Sequence, residues 1–481
     1  MYKGPRSKFS VVFTLLAVAA VIFGAFTIFR DMQPPDIYIS HDGDRINLSL
    51  PVTVVAADAA SSIKSMEVAV RFQENLVPIV KKEFSGERRE ELTFTLADSG
   101  LKNNDVFDLE ISAVDSSFGG LGFGNKNTVI IPMRLDTSEP RMTVNSSVPY
   151  VRRGGTGCVV YSVSKEVTRT GVKVGELFFP AFRQENGDYL CFFAFPHYLD
   201  TKDFNPLLTA LDKAGNQRSQ ALDVTAMPRR FNSDTIVINR SFLDSKAAEF
   251  TVVVPEQMSD IERFLVMNGR IRRANAATLM ETGKITTPEM LWKGAFQRMP
   301  KAASRAGFAD HRTYLWEGKK VDEQTHMGFD LASVKHADVP AANFGTVVYA
   351  GYLGIYGNLI VIDHGLGLQS LYSHLSEIGV EPGRQVKKGE IIGKTGSTGM
   401  AGGDHLHFGI LVSGLEVTPL EWLDDHWIKD NIIDRIKDAG GRSLEFQVNE
   451  ATAPQVESGR PAPEKPGASD RKPSRRSRMR P

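Results

Sequence analysis

The sequence predicts a mainly β chain of several domains: an N-terminal transmembrane helix, two β-sandwich domains, a helical connector and a small, strongly curved β-sheet domain. Three observations carry this expectation. The chain has 481 residues, more than one hydrophobic core holds, and at about 150 residues per domain roughly three domains follow. Short strand-like runs separated by turn residues recur throughout 36–228, the pattern of sandwiches. Glycine-broken strand patterns then return across 311–430, as a compact, curved sheet requires.

The first element is apolar. Residues 9–29, "FSVVFTLLAVAAVIFGAFTIF", form a 21-residue run without a charge. As a helix at about 1.5 Å per residue it spans roughly 30 Å, the thickness of one bilayer core. Lys3, Arg6 and Lys8 precede it, so residues 1–30 read as a cytoplasmic N-terminus and transmembrane anchor. The bulk of the chain is then extracytoplasmic. A cleaved signal peptide is the competing reading; the run is long for one, and no small-X-small cleavage site precedes Arg30.

The two sandwiches are expected at 36–137 and 138–228, with Pro140 marking the join. The phrase "ALDKAGN" is similar to the late strand and turn of bacterial immunoglobulin-like domains. Their role is that of a spacer, a protein-binding arm or a passive stalk. Both cysteines, Cys158 and Cys191, fall in the second unit. They lack CxxC spacing and form no thiolate zinc site alone, but outside the cytoplasm they could pair as a disulfide.

Residues 229–310 change character and read as a helical connector. Ser259 and Glu262 have capping-box spacing, Asn268 and Gly269 make a stop signal, and a second amphipathic stretch runs to Gly283. The connector packs structurally or latches over a neighbouring site. Residues 440–481 are rich in Pro, Ser and Arg and are expected to be a disordered basic tail. Such a tail tethers to anionic polymer or lipid, or simply solubilises. Over the whole chain, 57 basic and 57 acidic residues balance, so nothing global points to nucleic acid.

The chemistry concentrates at 311–430. Eight of the ten histidines lie in about a quarter of the chain. In "GDHLHFGILV", His405 and His407 sit two apart in a strand-like run and so share one face. They could be two metal ligands, a ligand beside a base, or two unrelated side chains. Upstream, "HMGFD" places His326 and Asp330 four apart. Two histidines and one carboxylate make a zinc-type donor set, and three protein ligands leave a fourth position for water. His374 in "LYSHLS" reads as a strand-end histidine and His364 in "IDHG" as a turn residue; His311 and His336 lack partners at a telling spacing.

In order along the chain, "THMGFDLAS", "GNLIVIDHGLGLQSLYSHL", "VKKGEIIGKTGSTGMAGGDHLHFGI" and "TPLEWL" resemble the LytM/lysostaphin-type zinc metallopeptidases, which cut peptidoglycan peptides. The resemblance covers about 310–425. It implies a small β-sheet or barrel-sandwich fold built from a duplicated hybrid motif. It also implies one zinc ion on His326, Asp330 and His407, with His405 and His374 facing the substrate as catalytic imidazoles. His405 is then the expected base and His374 the expected oxyanion stabiliser, with the two roles exchangeable. The implied protein is a zinc endopeptidase of peptidoglycan cross-links, anchored in the inner membrane by a single span and facing the periplasm, with envelope regulatory proteins as partners. The alternative is a non-catalytic or autoinhibited relative that activates a separate amidase. A biotinyl- or lipoyl-type carrier would suit the "VKKGEIIG" hairpin but leaves the histidines unexplained.

Overall fold

A computed structural model describes residues 8–29, 31–118, 123–253 and 257–440. The expected cytoplasmic N-terminus and almost all of the basic tail lie outside these residues. The apolar run forms one helix, Lys8–Phe29. Its side chains are described only over 12–24, about 20 Å of rise. Among the described residues no helix is long and apolar enough to cross a membrane.

Residues 36–135 build two facing sheets. One orders Asp36–Ile39, Val52–Ala57 and Arg89–Phe94; the other orders Arg45–Ile46, Lys126–Leu135, Val106–Asp115, Ile63–Phe72 and Asn75–Glu83. Along Val106–Asp115 every second residue is buried, as the two-residue side-chain period of a strand dictates. Val54, Val68, Leu109 and Ile111 are fully buried between the sheets.

Residues 142–221 form two four-stranded sheets. Cys158 and Cys191 lie on adjacent strands and are both buried and free. Cys158 stands opposite Phe192, while Cys191 stands opposite Val159. Opposed residues share a face and neighbours alternate, so the two thiols point to opposite sides of the sheet and make no disulfide. This unit is no separate stalk. Its buried side chains continue into the core of the last domain, with Phe192 edge-on to Trp422 at 5.7 Å. The buried Glu421 carboxylate accepts from Thr156 N at 2.8 Å and from Arg229 Nη2 at 3.3 Å.

The connector is mixed rather than purely helical. It opens with a strand, Ser233–Ile238, which pairs in parallel with His311–Trp316. The helix Arg240–Val253 follows. Ser259 and Glu262 then form the expected capping box of Asp260–Val266. Asn268 and Gly269 do not stop that helix. They sit in a π turn, Met267–Ile271, which leads straight into Arg272–Thr282. The buried Asn268 side chain finds outside partners, donating to Asp322 Oδ2 at 2.7 Å and accepting from Arg272 Nη2 at 2.6 Å, so it need not compete for its own backbone.

The last domain is an antiparallel sheet whose main path runs Ala303–Ala306, Phe329–Ala332, Leu406–Val412, Leu368–Leu375, Asn358–Asp363, Gly345–Tyr352 and Gln385–Val386. A small sheet of Asp338–Pro340, Ile391–Lys394 and Glu377–Ile378 completes it. Leu368–Leu375 and Leu406–Val412 are buried along their whole length, and these central strands carry the site.

Candidate metal centre

Strand register assembles the first two side chains. Phe329–Ala332 pairs with Leu406–Val412 so that Asp330 stands opposite His407. Opposed side chains share a face, and His407 Nδ1 lies 3.0 Å from Asp330 Oδ1. His326 enters from the turn before the strand. Its Nε2 lies 2.9 Å from both Asp330 Oδ1 and His407 Nδ1. All three residues are buried.

The protons around this triangle are constrained. His326 Nδ1 lies 2.7 Å from the Gly307 carbonyl oxygen, which only accepts, so Nδ1 carries the hydrogen and Nε2 offers a lone pair. Asp330 Oδ1 offers another. At most one proton, on His407 Nδ1, is available between them. A cation with mixed nitrogen and oxygen preference satisfies all three atoms, and the His, His, Asp set is that of zinc. A tetrahedral ion with bonds of about 2.0–2.1 Å separates its ligands by about 3.3 Å. The observed 2.9–3.0 Å edges need open by only a few tenths of an ångström, so the residues fit the ion.

The surroundings hold these ligands. Asp330 Oδ2 accepts from Arg312 Nη2 at 3.0 Å. Burial opposes the Asp330 charge, but the neighbouring imidazoles of His326, His405 and His407 outweigh it and hold the carboxyl well below the usual range. Burial lowers His407 to about 4. Its Nε2 is buried without a hydrogen-bond partner, because Gly328 packs against it. A Cβ on Gly328 would lie 2.7 Å from that nitrogen and 2.6 Å from the Phe408 carbonyl oxygen.

The two remaining imidazoles flank the triangle. Ser373, not His374, stands opposite His407, so simple alternation would turn His374 to the other face. His374 has φ of 64°, a left-handed conformation costly for a side-chain-bearing residue. The twist brings its ring within 5.7 Å of His407 and 4.9 Å of His405, centroid to centroid. His405 lies just ahead of the strand, in an isolated bridge to Gly396, with Nε2 3.4 Å from Asp330 Oδ1. Each ring has Nδ1 2.8 Å from a backbone carbonyl oxygen, that of Thr398 for His374 and that of Gly403 for His405. Both therefore hold Nδ1–H and, when neutral, present an Nε2 lone pair. Burial drives His374 well below the ordinary histidine range, helped by the two neighbouring histidines. Burial also works to lower His405, but Asp330 outweighs it and raises the group.

The five residues predicted from the sequence thus line one cavity of about 340 Å³. Arg312, Tyr356 and Met400 join them, and one wall is the connector: Ile236, Ile238, Asn239 and Phe242. Lys246 Nζ donates to the Ser397 carbonyl, and Gly399 N donates to Glu249 Oε2. These contacts bracket Thr398, whose carbonyl fixes His374. The sequence reading missed Arg312 and Lys246, since nothing local marks either. Gly328, between the two ligands of "HMGFD", favours a loop leading into a strand over a helix, and the structure has that arrangement.

The other histidines stay outside the cavity. His364 lies in the turn between Asn358–Asp363 and Leu368–Leu375 and is fully buried, with Nδ1 2.7 Å from the Phe344 carbonyl oxygen and Nε2 2.7 Å from Ser370 Oγ. His336 and His311 are half-exposed beside Asp404 and Glu323.

Residues 324–419 match peptidase family M23. The DD-carboxypeptidase/endopeptidase Mpg of Neisseria meningitidis is 39% identical over 95 residues, 20% of this chain and 22% of that protein. The murein hydrolase activator NlpD of Escherichia coli is 39% identical over 119 residues, 23% of this chain and 31% of that protein. The solved catalytic domain of the antimicrobial peptidase lysostaphin from Staphylococcus simulans is 29% identical, covering 27% of this chain and 98% of that one, with a TM-score of 0.23. The chain thus spans less than a third of the length of these curated relatives. Over residues 324–419, where the paired strands bring the two histidines and the aspartate together, the chain carries a peptidase family M23 domain of the LytM/lysostaphin type.

Proposed function

We propose that the chain is a zinc-dependent endopeptidase that hydrolyses peptide cross-links of peptidoglycan. One observation carries the reading: a complete His, Asp, His donor set with two further imidazoles presenting Nε2 to the same cavity. When bound by His326, Asp330 and His407, zinc supplies Lewis acidity toward a water and the scissile carbonyl. The chain's own residues supply the proton transfers. Removing a proton from the water requires a neutral imidazole, and the more deeply buried His374 meets that condition. His405, whose side chain is 16% exposed against Asp330, carries a proton more easily and donates from Nε2 to the developing oxyanion and the leaving amine. This exchanges the roles expected from the sequence, and it rests on burial and on the fixed Nδ1–H of both rings.

The same proposal places the N-terminal helix in the inner membrane as a single span, with the sandwiches and the peptidase domain in the periplasm. Peptidoglycan is the substrate, and envelope proteins are its regulators. The uncharged run of 9–29 behind Lys3, Arg6 and Lys8 supports that placement.

A second reading, an autoinhibited enzyme, is favoured by the connector wall of the cavity and by the Lys246 and Glu249 contacts to the 397–399 loop. One relative is named a murein hydrolase activator, but an activator of a separate amidase has no need for a full donor set flanked by two imidazoles. The test is digestion of cross-linked peptidoglycan by the purified chain, with separation of the muropeptides. Loss of cross-linked dimers that stops on zinc chelation supports the enzyme. Activity only after the connector is nicked supports autoinhibition, and purified protein devoid of zinc sinks the peptidase.

A further inference from the structure

We infer, on the peptidase reading of this cavity, that Arg272 is a specificity-determining residue that takes a free carboxylate of the substrate peptide. Arg272 lines the same cavity of about 340 Å³ as His326, Asp330, His407 and the two flanking imidazoles. That volume is at the small end of ligand pockets, so a peptide held at the imidazoles also meets Arg272. The Arg272 charge acts on the Tyr356 phenol, and the Tyr356 ring stands 6.0 Å from that of His407, centroid to centroid.

The π turn aims the guanidinium. In a regular helix the Arg272 amide would bond to the Asn268 carbonyl, four residues back. Here it bonds to the Met267 and Gly269 carbonyls instead. Arg272 Nε donates to the Asn268 carbonyl at 3.1 Å, and Nη2 donates to Asn268 Oδ1 at 2.6 Å. Asn268 is fully buried and is itself held by Asp322. One turn further on, Asn275 Oδ1 accepts from Ile355 N at 2.9 Å, which locks the same helix to the peptidase domain. The head group is thus fixed before any ligand arrives, and little side-chain entropy is left to lose on binding. Single π turns inside helices recur at functional sites for this kind of reason.

The charge of Arg272 is uncompensated. Of the five N–H groups of a guanidinium, Asn268 takes two. The others have no acceptor among the described residues. Among those residues Asp330 is the only acid lining the cavity, and its oxygens already serve Arg312, His326 and His407. Glu416 feels the Arg272 charge, but it is buried, accepts from Tyr356 Oη at 2.8 Å and makes no ion pair with Arg272. Phe242, Phe264, Ile355 and Met400 make much of the remaining wall, and apolar walls strengthen an ion pair formed between them. A planar fork with open N–H groups suits a carboxylate. The substrate class is then a peptide cross-link with a free carboxylate on a residue next to the scissile bond. A glycyl bridge, which carries none, is disfavoured.

The test compares two synthetic cross-linked peptides that differ only in that group, a carboxylate in one and a carboxamide in the other. Both are given to the zinc-loaded full chain in detergent. The acid should be preferred by roughly 10- to 100-fold in kcat/KM, mostly through KM. In Arg272→Gln the acid-to-amide ratio should fall to about 1, with the zinc content unchanged. Arg272→Lys, which keeps the charge but not the fork, should recover a ratio of a few-fold. No preference in the wild type, or a ratio that survives in Arg272→Gln, overturns the inference. Calorimetry with the same two peptides separates this outcome from failure of the peptidase reading. A zinc-loaded chain that cuts neither peptide but binds the acid more tightly loses the peptidase and keeps the carboxylate site. One that binds both alike, or neither, loses both.

Discussion

Arg312 Nη2 lies 3.0 Å from Asp330 Oδ2, the carboxylate oxygen turned away from His326 and His407. Arg312 belongs to His311–Trp316, a strand of a different sheet. A metal ligand of one sheet is therefore oriented by a cation from another. Arg312→Ala frees the Asp330 carboxylate to rotate and should weaken zinc binding by roughly 10- to 100-fold. Competition against a chromophoric chelator measures it. Unchanged affinity would mean that the guanidinium only packs.

Gly328 leaves no room for a methyl group. Gly328→Ala sets a Cβ against the Phe408 carbonyl and His407 Nε2, and one of these neighbours is rigid backbone. The variant should lose about 1–3 kcal/mol of stability and much of its zinc. Denaturant melts and metal analysis on the same sample check both.

The two flanking imidazoles should separate in kinetics. His407→Ala should lose the metal, whereas His374→Ala and His405→Ala should keep it and lose turnover by about 10²- to 10⁴-fold. With His374 as the proton acceptor, its replacement should remove the acidic limb of the kcat/KM profile. Replacing His405 should remove the alkaline limb. The opposite assignment of limbs would restore the roles first expected from the sequence.

Stability should fall with acid through His364, remote from the metal. Burial lowers this histidine to about 4 from 6.5, so folding favours its neutral form. Its contribution is complete above pH 6.5, shrinks as the pH falls toward 4, and is gone below that. The total is about 3 kcal/mol. His197, also lowered to about 4 by burial and by Arg153, adds a term of the same sign. Denaturation midpoints between pH 4 and 7 should slope less steeply in His364→Gln than in the wild type.

Much of the candidate site was legible because it depends on local periods. Strand alternation puts His405 and His407 on one side, and the short "HMGFD" stretch carries both upstream ligands. The position of His374 was not legible from periodicity. Alternation turns it away, and only a left-handed backbone angle brings the ring back, where the distant Thr398 carbonyl holds its Nδ1. Arg312 was hidden for another reason: its strand pairs in parallel with Ser233–Ile238, about eighty residues earlier, and such a pairing leaves no local pattern. Asn268 and Gly269 misled because their stop signal assumes an exposed helix end, while Asp322 and Arg272 satisfy the Asn268 amide inside a continuous one.

That parallel pair also has a mechanical consequence. Ser233–Ile238 and His311–Trp316 run side by side in the same direction, and the two connector helices lie in the loop between them. A pull that enters at the start of the first strand leaves at the end of the second. It loads the six-residue ladder in shear, with its hydrogen bonds sharing the force, rather than peeling them one at a time. Ile236 and Ile238 of the cavity wall ride on the loaded strand itself, whereas the helices beyond Asn239 sit off this path, so shear in the ladder is felt by one part of the wall and not by the other.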